Sequence, residues 1–183
     1  MRLVFIGPPG AGKGTQCVRL TEFLGVPHLS TGDMLRDAVQ AKTKVGRLAK
    51  KYMGRGQLVP DPVIIDLIGE RLGRDDCAAG YLLDGFPRTV GQAESLDEYG
   101  RGAKQPLDFA LELQVDEENL VSRLLERGRE DDKEKVIRRR LIAYRKQTEP
   151  VAEYYQQQDI LKRIDGNTTP ETVFERIKAA LVR

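Results

Sequence analysis

Thiol and imidazole chemistry have little to draw on here, because the 183 residues include two cysteines and one histidine. Cys17 and Cys77 form no CxxC pair and no histidine cluster accompanies them, so the pattern indicates neither a zinc site nor a disulfide framework. A reducing cytoplasm fits that usage. His28 closes a short apolar stretch, where a lone imidazole is more often structural than catalytic, and no role is assigned to it. Nor is there an excess of one charge: 30 Lys plus Arg against 28 Asp plus Glu leave a formal net charge of +2. That balance argues against a generic binder of nucleic acid or of membrane surfaces, and any basic site must be local. No apolar run approaches membrane-spanning length, no segment is repeated or of low complexity, and the residues ahead of Gly7 leave no room for a signal peptide. The length suits one folding unit with small insertions rather than two full domains. A soluble, cytoplasmic monomer is expected.

What is present begins with the apolar run Leu3, Val4, Phe5 and Ile6, followed at once by Gly7, Pro8, Pro9, Gly10, Ala11, Gly12, Lys13, Gly14 and Thr15. Gly7, four residues, then Gly12 and Lys13 is phosphate-loop spacing. Polyphosphate charge held away from water needs backbone N–H groups aimed inward around a tight bend, and glycine permits both the bend and the close approach. Lys13 adds a mobile charge, and a helix starting here sets the positive end of its dipole behind the phosphates. The position after the lysine, usually a Ser or Thr that ligates Mg²⁺, is Gly14; the hydroxyl arrives one place later, at Thr15. A glycine-rich turn that merely closes a strand-to-helix corner is the rival reading. The preceding strand and the amphipathic stretch Cys17, Leu20, Leu24 weigh against it.

Further along, strands alternate with helices. Strands are expected at 3–6, 26–29, 81–84, 109–115 and 160–164, and helices at 12–24, from 31 toward 56, 62–72, 90–99, 116–128, up to about 157 with a bend at Pro150, and from Thr169 to the end. This alternation predicts an α/β fold: a five-stranded parallel sheet flanked by helices, with right-handed crossovers and a ligand site at the carboxyl ends of the strands. Residues 30–59 are polar and helical with weak apolar content. They read as a small insertion projecting from the core. Asp84 ends an apolar strand, where an acid can reach the hydration shell of Mg²⁺ in phosphate-loop enzymes; its competing reading is an N-cap for the next segment.

Six strings in order carry a resemblance: GPPGAGKGTQ at 7–16, STGDMLR at 30–36, GQLVPD at 56–61, LLDGFPRT at 82–89 with Gln92, the acids and arginines of 131–140, and TEPV at 148–151. The chain resembles an adenylate kinase over essentially its whole length. That resemblance implies a P-loop nucleoside monophosphate kinase type of fold, Mg²⁺ as cofactor, ATP and AMP as substrates, and two ADP as product. By the same resemblance Gly10, Ala11, Gly12, Lys13, Gly14 and Thr15 hold the ATP phosphates and Lys13 follows the transferred group. Thr31, Arg36, Gln57, Leu58, Val59, Gly85, Phe86, Pro87, Arg88 and Gln92 line the AMP site; Arg88 takes the AMP phosphate, while Thr31 and Gln92 touch its adenine. Asp84 holds the metal through water. Arg123 and Arg127 lie over ATP, Arg129 and Arg140 clamp the phosphates of both nucleotides, and Asp131 and Asp132 orient those arginines. Gly166 and Thr168 pass the adenine of ATP. Lys13, Arg88, Arg123, Arg129 and Arg140 form the catalytic set.

The residue types agree with that reading, since two polyphosphates approaching end to end repel each other and forked guanidinium groups meet that repulsion. Arg138 and Arg139 read instead as a solvated helix face. One departure from the family stands out: only Gly128, Arg129 and Glu130 separate Arg127 from Asp131, so 127–131 is a vestigial lid. Two other functions compete. A kinase for UMP or CMP tends to have Ala where Thr31 stands and Asn where Thr89 stands, and a module that binds ATP without turning it over does not need the full arginine set.

Overall fold

Leu3, Val4, Phe5 and Ile6 are apolar without alternation because both faces of their strand are covered. In the computed structural model, which describes residues 1–182, this strand β1 (Arg2–Ile6) is the middle of a five-stranded sheet with β2 (His28–Ser30), β3 (Tyr81–Asp84), β4 (Phe109–Gln114) and β5 (Leu161–Asp165). The order is β2-β3-β1-β4-β5 and every pairing is parallel. The expected α/β fold is therefore what the chain adopts. The sheet order reverses at β1, so the loops after β1, β3 and β4 open toward one crevice at the carboxyl edge.

Alternate residues of each strand supply two cores. Val4, Ile6, Tyr81, Leu83 and Ala110 face α4 (Asp61–Leu72), α5 (Val90–Gly102) and α8 (Glu149–Gln156), through Ile64, Ile68, Ala93, Leu96, Val151 and Tyr155. Leu3, Phe5, Leu82, Leu111 and Leu113 face α1 (Lys13–Leu24), α6 (Glu117–Arg127), α7 (Glu134–Ala143) and α9 (Pro170–Leu181), through Leu20, Leu124, Ile137 and Ile177. Each fully buried Leu or Ile contributes about 1.5–3 kcal/mol, so the loops at the carboxyl edge rest on a stiff base.

Segment 30–59 forms a helix pair, α2 (Thr31–Gln40) and α3 (Lys44–Met53), each opened by a hydroxyl cap: Ser30 accepts from the Asp33 N–H and Thr43 from the Gly46 N–H. Its Leu35 and Ala49 are buried in the same apolar cluster as Val4 and Leu29, so the hairpin is more firmly joined to the core than its polar composition predicts. Met34, Val39, Val45, Tyr52 and Met53, partly buried, pack against the same cluster and help to seat the hairpin. Two boundaries also shift. β2 covers 28–30 rather than 26–29, because its pairing with β3 runs His28↔Leu82 to Ser30↔Asp84. The long helix before β5 is interrupted ahead of Pro150, by a π-helical turn at Tyr144–Thr148, and Pro150 then occupies the first turn of α8, where no N–H is needed. Among the described residues no helix is long and apolar enough to cross a membrane.

Candidate active site

After β1 the chain must turn at once into α1, and Gly10 makes the turn at φ +87°; a Cβ there would come within 2.9 Å of the Leu120 carbonyl oxygen. The turn places Gly12, Lys13, Gly14 and Thr15 at the N-terminus of α1, along the wall of a cavity of about 550 Å³. Lys13 Nζ donates to the carbonyls of Gly7 (2.6 Å) and Pro8 (3.0 Å). Burial pulls its pKa down to about 8, Arg88 and Arg140 push in the same direction, and Asp84 opposes them.

Across the crevice, Asp84 ends β3 with its carboxylate 3.5 Å from His28 Nε2. Burial alone would raise this carboxyl, but the His28 ring and the Lys13 ammonium together hold it below the ordinary carboxylate range. The carboxylate is thus ionised and hard, the donor type that suits Mg²⁺ through its water shell. Cys17 and His28 bring further donor atoms, so that one from each of Cys17, His28 and Asp84 lie within 4.8 Å of one another. This grouping is invisible in a sequence where the three are far apart. His28, given no role from the sequence, lines the cavity with its Nε2 facing the Asp84 carboxylate.

Gly85 at φ +80° follows, a position where a Cβ would press on Thr31 Oγ1 at 2.8 Å and on the Arg88 guanidinium. Its carbonyl accepts from Thr31 Oγ1 (2.8 Å) and from Arg88 Nε (2.8 Å), so one backbone oxygen sets both side chains. Arg88 is further held through its backbone: its N–H donates to Gln92 Oε1 at 2.7 Å and its carbonyl accepts from Thr148 Oγ1 at 3.0 Å. Thr148 comes from the π-helical turn, a distortion that aims a hydroxyl into the site. Burial lowers the Arg88 pKa, and Arg140 lowers it further.

From the other side come the arginines after β4. Arg127 makes a two-pronged pair with Asp132, Nε to Oδ2 at 2.8 Å and Nη2 to Oδ1 at 2.7 Å, and Arg140 Nη1 reaches Asp132 Oδ1 at 3.0 Å and Asp131 Oδ2 at 3.1 Å. The Arg129 N–H also donates to Asp132 Oδ2. The Asp132 side chain is fully enclosed, and although burial pushes its carboxyl up, Arg127 holds it below the ordinary range. Arg123 and Arg129, both exposed, line the same cavity. Burial lowers the Arg129 pKa, as do Arg127 and Arg36 beside it. Arg138 pairs with Glu134 one turn away on an exposed face.

Of the expected site residues, Thr31, Arg36, Gln57, Leu58, Val59, Asp84, Gly85, Pro87, Arg88, Gln92 and the four arginines Arg123, Arg127, Arg129 and Arg140 line one cavity with the loop. Ala11 and Phe86 do not. Both side chains turn into the core, at 4 % and 2 % exposure, so either residue can offer only backbone to a ligand. Gly166 and Thr168 lie beyond β5, outside the lining; Gly166 is held there because a Cβ would strike Val115 and Leu113. Sequence reasoning missed the positions of His28, Thr148 and Asp61. The last two stand inside strings noted above, TEPV and GQLVPD, but nothing in a string says which side chain holds which.

A phosphate loop after the central strand, a carboxylate after its neighbour and guanidinium groups converging from both sides define a P-loop nucleotide kinase. The adenylate kinase family profile matches residues 5–160. The chain is 45 % identical to the adenylate kinase of Thermodesulfovibrio yellowstonii across 99 % of each chain, and 52 % identical to adenylate kinase 1 of Synechocystis sp. across 93 % of this chain and 91 % of that one. It is 47 % identical to the adenylate kinase of Thermobifida fusca across 99 % and 98 %. The chain belongs to the adenylate kinase family, whose reaction moves the terminal phosphoryl group of ATP to AMP.

Proposed function

We propose that this chain carries out the ATP:AMP reaction with the loop side of the cavity for ATP, the β3 side for AMP, and the phosphoryl group passing between them. One observation carries the division. Lys13 on the loop and Arg88 after β3 line one cavity, close enough that Arg88 and Arg140 lower the Lys13 pKa and Arg140 lowers that of Arg88, with Asp84 opposing at both and Asp131 at Arg88, which is the balance of a site finished by anionic ligands.

In this reading Gly10, Gly12, Gly14 and Thr15 cradle the ATP phosphates through N–H groups, with Ala11 supplying backbone only. Lys13 leaves the Gly7 and Pro8 carbonyls for the transferred group. Arg88, fixed at Gly85, takes the AMP phosphate, and Arg123, Arg127, Arg129 and Arg140 neutralise charge along the line of transfer. Thr31 still has lone pairs to offer the AMP base after donating to Gly85, and Gln92 reads its edge. Asp84 would hold Mg²⁺ through water, and Mg²⁺ when bound neutralises charge on the phosphates. Gly166 and Thr168 are assigned the rim near the ATP adenine. Segment 30–59 acts as the AMP-binding hairpin and 127–131 as a minimal lid. The protein works as a cytoplasmic monomer, without nucleic acid or membrane.

Isotherms test the end-to-end arrangement. A dinucleotide in which a phosphate chain joins two adenosines is expected to bind far more tightly than ATP or AMP, and Arg88→Ala to weaken AMP and the dinucleotide while sparing ATP. A dinucleotide that binds no better than ATP would mean that the two nucleotides do not share the cavity in this way.

A further inference from the structure

Gln92 is 2 % exposed and both ends of its amide are engaged. Its Oε1 accepts from the Arg88 N–H at 2.7 Å, and its Nε2 donates to Asp61 Oδ1 at 2.7 Å. The second oxygen of Asp61 accepts from Thr89 Oγ1 at 2.8 Å, and Thr89 caps α5 by accepting from the Gln92 N–H at 3.2 Å. Two inputs therefore fix which way the amide points. A backbone N–H can only donate and demands the oxygen; a carboxylate can only accept and demands the nitrogen. Turning the amide over would set two donors against each other at Arg88 and two acceptors at Asp61, each a buried mismatch.

What remains on the amide is one lone pair on Oε1 and one N–H on Nε2, and Gln92 lines the cavity. An acceptor beside a donor matches adenine, whose 6-amino group donates and whose N1 accepts. Hypoxanthine carries the reverse pattern, with O6 accepting and N1–H donating. We infer that Asp61, which opens α4 and touches the substrate only through Gln92, is a specificity-determining positioning residue: by locking the Gln92 amide it makes the site read a 6-aminopurine monophosphate and refuse a 6-oxopurine one. The inference rests on the reading of Gln92 as a base contact.

Asp61→Ala tests it, since the variant removes the acceptor facing Gln92 Nε2 altogether, whereas Asn could keep it by turning its oxygen to Gln92 and its nitrogen to the Thr89 hydroxyl. With ATP saturating, kcat/KM is measured for AMP and for IMP. Wild type is expected to prefer AMP strongly, and Asp61→Ala, which leaves only the Arg88 N–H to orient the amide, to lower the AMP to IMP ratio by about threefold or more, through a higher KM for AMP and a gain for IMP, with the KM for ATP unmoved. Asp61→Leu, which likewise offers Gln92 Nε2 no acceptor, is expected to lower the ratio to the same extent, and it carries the test should the Ala variant fold poorly. A merely structural role would depress both substrates together and leave the ratio intact, which overturns the inference. Gln92→Leu separates the two layers. A ratio that collapses in Gln92→Leu but holds in Asp61→Ala removes Asp61 and leaves Gln92 as the reader; a ratio unmoved in both, or a wild type indifferent between AMP and IMP, removes the Gln92 reading and the inference with it.

Discussion

Lys13 donates to two carbonyls of its own loop, and its ammonium is held near a pKa of about 8 by burial and by Arg88 and Arg140. Below that value the free protein offers ATP a full charge; above it the charge is lost. Affinity for ATP is therefore expected to fall as pH rises through about 8, while Lys13→Met binds weakly at every pH and shows no such fall. The same shift acts on stability with a definite sign: between about 8 and the ordinary 10.5 the unfolded chain holds the proton and the folded one does not, so this group adds stability as pH rises through that window. Turnover in Lys13→Met should drop by about 3 kcal/mol or more of transition-state stabilisation with the fold intact, and near-normal turnover would remove the loop from the chemistry. Asp132 makes a different prediction. Because its carboxylate joins Arg127, Arg140 and the Arg129 backbone, Asp132→Asn is expected to cost about 2 kcal/mol, less than a fully enclosed pair because 32 % of the Arg127 side chain is exposed. Its carboxyl is held low, so the contribution is present at neutral pH and lost in acid as the folded carboxyl titrates; a denaturation series over pH with both proteins checks it. At this scale the sequence showed which residues matter better than how they are held. Lys13 was legible in the loop spacing, and Arg88, Asp131 and Asp132 were singled out through the family resemblance, whereas Thr148 on the Arg88 carbonyl and His28 beside Asp84 depend on contacts between distant segments.

Among the elements, the strands were the most legible, since runs buried on both faces leave unbroken apolar stretches, and the shift in β2 is a matter of pairing register. The π-helical turn was not, because nothing in Tyr144, Arg145, Lys146, Gln147 and Thr148 announces a wider helix; the bend was expected at Pro150, one residue into α8. That turn yields a test. Thr148→Val removes the hydroxyl and leaves the Arg88 carbonyl without this partner, so stability should fall by about 1–2 kcal/mol and the KM for AMP should rise while that for ATP holds. Equal effects on both nucleotides would show that the turn supports the fold and not the AMP side. The link from α6 to α7 yields another. Closure over ATP excludes water and completes the arginine set, and with so few residues between Arg127 and Asp131 the transferred group is expected to be less well shielded. Measurable ATP hydrolysis at scarce AMP should follow, and loop residues grafted ahead of Arg129 should suppress it while raising transfer. Equal ratios of hydrolysis to transfer in the two proteins would make the short link a harmless trim.

For the molecule as a whole, the parallel sheet, the loop at its centre and cations from the segment after β3, from α6 and from α7 make one site, and each part has little use without the others. Base selectivity, metal and transfer all meet in that crevice, so the most direct test is of the overall stoichiometry. ATP, Mg²⁺ and each of AMP, UMP and CMP in turn are incubated with the protein, and every nucleotide is quantified over time. Two ADP formed for each AMP consumed, with UMP and CMP far slower, is the expected result. Formation of one ADP per ATP without loss of AMP, or faster turnover of a pyrimidine monophosphate, would contradict it.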